Sequence, residues 1–186
     1  MSKRPAPKAP AKIRGTTLIE VLVTVVIIAL GLLGMAGLQS RSHALEFESY
    51  QRGQALILLQ DMVDRMNNNA TAAAGYVTGA TPMGTGATDA ADCTALASRA
   101  LADLCEWSKA LKGSAELSGS TKQGAAIDGR GCIVSTGTNA YLVSVAWQGM
   151  SATFAPVNTC GQNSYSSETT RRVVGAVVVV PDLGAN

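Results

Sequence analysis

The chain contains one long apolar run near its N-terminus, from Thr16 to Leu38. This run has 23 residues and a single ionisable side chain, that of Glu20. About 20 apolar residues in an α-helix cross the hydrocarbon core of a bilayer, which is about 30 Å thick. The sequence therefore predicts a membrane-spanning helix over residues 16–38, with a carboxylate near its start that needs an explanation.

The charges on the two sides of this run differ. Basic residues alone precede it, whereas basic and acidic residues are mixed just after it. The preceding basic residues are Lys3, Arg4, Lys8, Lys12 and Arg14. Because positively charged flanks stay in the cytoplasm, we expect everything after Leu38 to lie on the periplasmic side of the inner membrane.

Two other kinds of segment share this pattern. A cleaved secretory signal has a basic start, an apolar centre and a small-residue site such as Gly34-Met35-Ala36. An ordinary single-pass anchor has the same length. Either would make the chain an exported or anchored binding module, but neither explains Glu20, since a charge inside a membrane segment usually has a partner and a function.

The residues around Glu20 resemble the class III signal of type IV pilins and pseudopilins. They read Arg14-Gly15-Thr16-Thr17-Leu18-Ile19-Glu20. The resemblance implies that a prepilin peptidase removes residues 1–15 by cutting between Gly15 and Thr16, and that Thr16 is then N-methylated. Thr16 departs from the family, which most often has Phe there. The resemblance also implies that Glu20 pairs with the Thr16 α-amine of a neighbouring subunit and sets the register of a helical filament.

Further residues resemble the minor pilin family called PilV, the type IV pilus modification protein. They are the stretches 31–39, 52–55 and 61–67. The resemblance implies a cell-surface pilus subunit that supports assembly or priming, adhesion and twitching motility. Its partners would be the major pilin, other minor pilins, the prepilin peptidase and the inner-membrane assembly platform. A type II secretion minor pseudopilin is the alternative, because it shares the same N-terminal segment.

Three glycines, Gly31, Gly34 and Gly37, interrupt the apolar run. Each costs about 1 kcal/mol of helix stability relative to Ala. Their spacing of three differs from that of the G-x-x-x-G dimer motif. Pilins often carry a proline where Gly37 stands, and this part of the helix can unwind in filaments. We interpret the triplet as a flexible segment; the alternative is the ordinary tolerance of membrane helices for glycine.

The helix is predicted to continue past the membrane over residues 39–69. Its apolar residues recur at three- and four-residue spacing, which indicates an amphipathic face. They are Ala55, Leu58, Leu59, Met62, Val63 and Met66. Three asparagines at 67–69 end the pattern, and residues 70–186 are expected to form a periplasmic globular head.

The head is predicted to contain one helix and several strands. Thr94 is the expected N-cap of a helix that extends to Leu111, between loops at 70–92 and 113–130. Alternating apolar residues predict strands at 132–136 and 141–147, joined by a tight turn. A weak strand at 152–155 and a buried strand at 172–180 complete the set. The expected fold is α+β, with a long N-terminal helix packed on an antiparallel sheet of about four strands, as in type IV pilins.

The four cysteines predict disulfides. Their even number in an exported domain favours two bridges, and three pairings are possible. We expect Cys93–Cys105 with Cys132–Cys160; buried free thiols are the alternative. A zinc site is not expected, since there is no C-x-x-C and His43, the single histidine, is distant in sequence.

Neither the composition nor the motifs indicate an enzyme. Removal of residues 1–15 leaves 10 basic against 13 acidic side chains, which does not favour nucleic-acid binding. The chain has no phosphate-binding or dinucleotide-binding motif, so no cofactor is expected. Asp89 and Asp92 lack the spacing of a calcium loop.

Overall fold

The computed structural model describes residues 15–79, 81–113 and 126–181, together with the backbone of residues 116–118 and 121–123. Internal contacts divide the chain into two units, residues 1–43 and 44–186. The basic leader residues 3–14 lie outside the described residues. The second unit contains the hydrophobic core and is described first.

Helix α1 runs from Leu18 to Asn68, so it begins two residues later and ends one residue earlier than the predicted range 16–69. The part of α1 that belongs to the second unit buries one of its faces. The buried residues are Gln51, Ala55, Leu59, Met62 and Met66. The apolar members are spaced by four, three and four residues, so they lie on one side of a helix with 3.6 residues per turn. They pack into the main core with residues of the sheet.

The main sheet has four antiparallel strands in the order β1, β4, β5, β6. They are β1 Met83–Gly84, β4 Arg130–Gly137, β5 Ala140–Gln148 and β6 Arg171–Val179. Ile133 pairs with Val143, which also pairs with Ala176. Because side chains alternate across a strand, this row shares the core face with Tyr141, Val145 and Trp147. The predicted α+β architecture, a long N-terminal helix on a four-stranded antiparallel sheet, is confirmed.

Helix α2, Arg99–Leu111, covers part of the same core. Its Trp107 is completely buried and donates a hydrogen bond from Nε1 to the Leu58 carbonyl of α1, at 2.8 Å. The indole lies so close to β4 that a Cβ on Gly131 would be 2.2 Å from a ring carbon. A side chain at position 131 would therefore displace Trp107.

The predicted N-cap of α2 is wrong. Ser98 caps the helix, and its hydroxyl accepts a hydrogen bond from the Leu101 amide at 3.3 Å. The Thr94 hydroxyl instead donates to the carboxylate of Asp92 at 2.7 Å, and the Thr94 amide donates to the same oxygen. Thr94 thus stabilises a turn before the helix, because short polar side chains compete for nearby backbone and side-chain partners.

Three other local predictions need correction. Residues 152–155 do not form a strand and are exposed. The stretch 70–92 contains a 3₁₀ helix, Ala70–Tyr76, as well as β1. The stretch 113–130 contains a separate hairpin, β2 Glu116–Ser118 with β3 Thr121–Gln123. Short elements of this kind have too few residues to show a hydrophobic period.

The valine-rich strand β6 is not buried on both faces. It lies at the edge of the sheet, and its Val177 and Val179 are 62% and 69% exposed. Val174, Ala176 and Val178 face the core. A run of valines is compatible with burial on one face or both, so the sequence alone could not distinguish these cases.

Two disulfides stabilise the head, and they fit the pairing expected from the sequence. Cys93–Cys105 joins the segment before α2 to that helix, with 5.5 Å between the Cα atoms. Cys132–Cys160 joins β4 to the loop between β5 and β6, with 5.6 Å between the Cα atoms. The described residues contain no free cysteine.

We expect loss of either disulfide to destabilise the head by about 2–4 kcal/mol, because the cross-link restricts the unfolded chain. The double substitution Cys132→Ala/Cys160→Ala should have the larger effect, since that pair is separated by 28 residues rather than 12. Cys93→Ala/Cys105→Ala is the matched variant. Urea denaturation followed by tryptophan fluorescence measures the free energy of unfolding of both double variants. Mass spectrometry that found four free thiols in protein isolated from cells would contradict this expectation.

Candidate functional site

The first unit presents an apolar helix surface. Every residue from 15 to 47 is exposed, and the exposed fraction reaches 85% at Leu18 and 71% at Leu38. The most apolar 18-residue window of α1 has a mean hydropathy of 2.7, which with its length suffices to cross a membrane. Thr24 donates its hydroxyl to the Val21 carbonyl at 2.8 Å, so this polar side chain is satisfied within the helix. The surface therefore suits lipid or other apolar helices.

Glu20 lies in the first turn of α1. Its amide donates to the Thr17 carbonyl at 3.0 Å, which places Glu20 in the opening hydrogen bonds of the helix. A carboxylate at a helix N-terminus is favoured by the helix dipole, typically by about 0.3–1 kcal/mol. Its side chain is exposed, so it is accessible to a cationic group of another molecule.

Gly15 and Thr16 precede the helix in non-helical backbone. Gly15 has open space around the position of a Cβ, so packing within the chain does not require glycine there. A requirement for glycine would then come from an enzyme that binds this stretch. The structure brings Gly15, Thr16 and Glu20 together in one exposed segment at the start of α1.

The glycine triplet does not interrupt α1, which stays helical through Gly31, Gly34 and Gly37. A Cβ at any of the three would meet nothing within 4 Å. Close packing within the chain therefore does not explain these glycines. The interpretation as a flexible segment stays a prediction.

The head contains an ion cluster that the sequence analysis did not identify. Arg65 of α1 binds Asp103 at 3.0 Å and Glu106 at 2.6 Å, both on α2, and Asp61 at 3.1 Å on its own helix. Tyr76 donates its hydroxyl to Asp103, which is buried. Burial and this hydrogen bond raise the pKa of Tyr76 to about 12. The cluster joins α2 to α1. Its local signals in the sequence are two pairs at i,i+4 spacing, Asp61 with Arg65 and Arg99 with Asp103.

A cleft of about 360 Å³ lies beside the Cys132–Cys160 disulfide on the outer face of the sheet. Its lining is apolar or uncharged and includes Val134, Leu142, Ser144 and Asn158. Within the described part of the chain, no group of three His, Cys, Asp or Glu residues could hold a metal ion.

Comparison with known proteins gives a match in the N-terminal segment. The family model of the prokaryotic N-terminal methylation motif matches residues 10–36. This chain carries a class III prepilin signal. Such a signal indicates a type IV pilin-like or pseudopilin protein, processed by prepilin peptidase and assembled with other pilins. The comparisons with curated proteins and with solved structures found no match.

The match includes Gly15, Thr16, Glu20, Gly31 and Gly34. It fits a pilin-like protein anchored in a membrane through α1. Proteins with this motif are structural subunits rather than enzymes. The roles of the individual residues are taken up below as proposals.

Proposed function

We propose that the chain is a minor pilin of the PilV type, a subunit of a type IV pilus that takes part in its assembly or priming and thereby supports adhesion and twitching motility. The observation that carries the proposal is Glu20, the one ionisable residue of a 23-residue apolar run inside a prepilin motif. A plain anchor gives no reason for this carboxylate. A filament of packed helices does, because the α-amine of a processed neighbour is its natural partner.

The proposed organisation has four parts. Residues 1–15 are a cytoplasmic leader that is removed, and residues 16–38 cross the inner membrane. Residues 39–69 continue α1, and residues 70–186 form the periplasmic head. After assembly the subunit belongs to the cell-surface pilus, with the major pilin and other minor pilins as neighbours and the inner-membrane assembly platform as the machine that inserts it.

Pairing between Glu20 and Thr16 requires cleavage, because only cleavage creates an α-amine at Thr16. A free α-amine titrates near pH 7.7–8.0, so it is mostly cationic at neutral pH. N-methylation of Thr16 would keep the charge. Processing thus converts an unpaired carboxylate into one half of an ion pair between subunits.

The first test is the site of processing. We expect Gly15→Val to leave full-length precursor in the inner membrane, because a peptidase that binds glycine at this position would exclude the branched side chain. Gly15→Ala is the matched control and should be processed at least in part. Sequencing of the mature N-terminus should begin at Thr16; a terminus at Gly37 would indicate an ordinary secretory signal and contradict the proposal.

The second test separates the pilus from a type II secretion system, since the motif supports both. Deletion of the gene should remove or reduce surface pili and twitching and leave protein secretion unchanged. The tagged chain should be recovered with sheared pili. A secretion defect with normal pili would identify a minor pseudopilin instead.

A further inference from the structure

The loop between β5 and β6 exposes large apolar side chains. Every residue from Met150 to Ala155 is exposed, and the exposed fractions of Met150, Phe154 and Val157 are 57%, 96% and 98%. The last two side chains thus make almost no contact with the rest of the chain. We call residues 150–157 the apolar tip.

The base of this loop is fixed to α1. Glu48 Oε1 accepts hydrogen bonds from the Met150 amide at 3.1 Å and from Arg172 Nη2 at 3.0 Å. Arg172 also donates to the carbonyls of Ser151, at 2.7 Å, and Thr169, at 3.1 Å. One residue of α1 and one of β6 therefore hold both ends of the loop.

Gly149 makes this attachment possible. A Cβ at this position would lie 2.7 Å from Glu48 Oε1 and 2.8 Å from the guanidinium carbon of Arg172. A side chain at position 149 would thus push the two charged groups apart. The apolar tip is exposed although its base, formed by Glu48, Gly149 and Arg172, is closely packed.

The composition of the tip suits an apolar environment. From Gly149 to Ser167 the sequence has no Asp, Glu, Lys or Arg. Residues 150–157 would therefore carry no charged side chain of their own into a less polar medium, and charged groups are the most costly to transfer. The charged groups at the base, Glu48 and Arg172, are paired with each other.

The tip is also tethered close to a bilayer. Glu48 follows Leu38, the last residue of the apolar run, by ten positions. Ten residues reach at most about 36 Å when extended and about 15 Å as a helix. The base of the tip is thus held within that distance of the end of the apolar run.

We propose that, before the subunit enters a filament, the apolar tip docks on the membrane that holds α1, with Met150, Phe154 and Val157 in the boundary between lipid headgroups and acyl chains. The inference rests on the proposed insertion of residues 16–38. It goes beyond the proposed function because it gives the head a second, reversible contact with lipid that assembly must break.

The test places a fluorescent reporter at the tip. The variant Phe154→Trp is reconstituted as the full chain in vesicles of phosphatidylethanolamine and phosphatidylglycerol, with or without bromine on the acyl chains. An interfacial side chain enters about 5–10 Å into the boundary, so we expect about twofold quenching of the introduced indole by brominated lipid. Quenching by aqueous acrylamide should fall in parallel. The two natural tryptophans, Trp107 and Trp147, are buried, and the unsubstituted protein gives their background.

The matched control is Leu101→Trp, at a half-exposed position on α2. It should be quenched by acrylamide and not by brominated lipid. Equal bromine quenching at both positions would mean unspecific adsorption and would overturn the proposal. Strong acrylamide quenching of the indole at position 154 would also overturn the proposal. So would protection from acrylamide that increases with the protein-to-lipid ratio without bromine quenching, because that result means that a second copy of the chain covers the tip.

Flotation of the vesicles on a density gradient distinguishes failure of the tip to dock from failure of residues 16–38 to insert into the membrane. Phe154→Trp protein that floats without bromine quenching of its introduced indole overturns only the docking of the tip. Protein that fails to float overturns the insertion of residues 16–38, and the docking with it.

Discussion

Replacing Glu20 with valine should remove the protein from sheared surface filaments and leave its insertion into the inner membrane and its cleavage after Gly15 intact. On insertion scales a carboxylate at the centre of a membrane helix costs about 2.5–3.5 kcal/mol, and less near its end. The substitution removes that cost, so the membrane-bound pool should be at least as large as that of the unsubstituted protein.

Assembly should respond in the opposite direction. In a bundle of apolar helices the Thr16 α-amine of the adjacent subunit would lose its carboxylate and stay buried and charged. Removing one partner of a buried ion pair costs about 3–5 kcal/mol. Since about 1.4 kcal/mol is a factor of ten in an equilibrium constant, incorporation should fall about a hundredfold or more.

Two further variants make the Glu20 test specific. Glu20→Gln keeps the shape and polarity of the side chain but not its charge, so it should fail as the valine variant does. Glu20→Asp keeps the charge on a shorter stem and should retain partial incorporation. Immunoblots of sheared and membrane fractions measure both pools. Unchanged recovery of Glu20→Val in the sheared fraction would argue against a role in registration and favour a plain anchor.

The long helix and the central hairpin could be predicted because their signals are local. The apolar run and the spacing of Ala55, Leu59, Met62 and Met66 indicate one helix, and α1 has that extent. The alternation from Tyr141 to Trp147 indicates a strand with one buried apolar face, and in β5 that face is buried; the alternate residues Ser144 and Ala146 are buried too, which the alternation does not predict. The prepilin motif is equally local, so it could be recognised without a structure.

The predictions that failed depended on long-range packing or on competition between similar residues. Thr94 and Ser98 are both acceptable caps, and the hydrogen bonds of Thr94 to Asp92 decide between them. The run of valines in β6 does not reveal that this strand lies at the edge of the sheet, with no described strand paired to its outer side. The contact between Glu48 and Arg172 joins residues 124 positions apart, and no sequence period connects them.

We expect the second large effect from substitution of Arg171, which should destabilise the head. This arginine starts β6 and is only 1% exposed. Its Nε donates to the Glu168 carboxylate at 2.6 Å, and its other nitrogens donate to the carbonyls of Pro156, Asn158 and Cys160. A single guanidinium thus satisfies three backbone carbonyls of the loop that precedes β6.

Substitution Arg171→Met should destabilise the head by about 3–5 kcal/mol, because it leaves the carbonyls of Pro156, Asn158 and Cys160 without this donor, and an unsatisfied buried group costs about 1–3 kcal/mol. Arg171→Lys should recover only part of the loss, since one ammonium cannot reach the acceptors of a planar five-donor group. Arg172→Met is the matched variant next in the chain; it removes a less buried guanidinium and should cost less. Urea denaturation followed by tryptophan fluorescence compares the three. A loss for Arg171→Met no larger than that for Arg172→Met would contradict the assignment.

The pH dependence of stability gives an independent check on the same contact. A hydrogen bond from the Asn163 amide and the contact with Arg171 hold the pKa of Glu168 below its ordinary value of 4.5. A depressed folded-state pKa contributes stability that is present above pH 4.5 and is lost as the pH falls through the folded-state pKa. The difference in unfolding free energy between the unsubstituted protein and Glu168→Gln should therefore be largest near neutral pH and shrink in acid. A difference that stays constant from neutral to acidic pH would mean that the Glu168 charge does not stabilise Arg171.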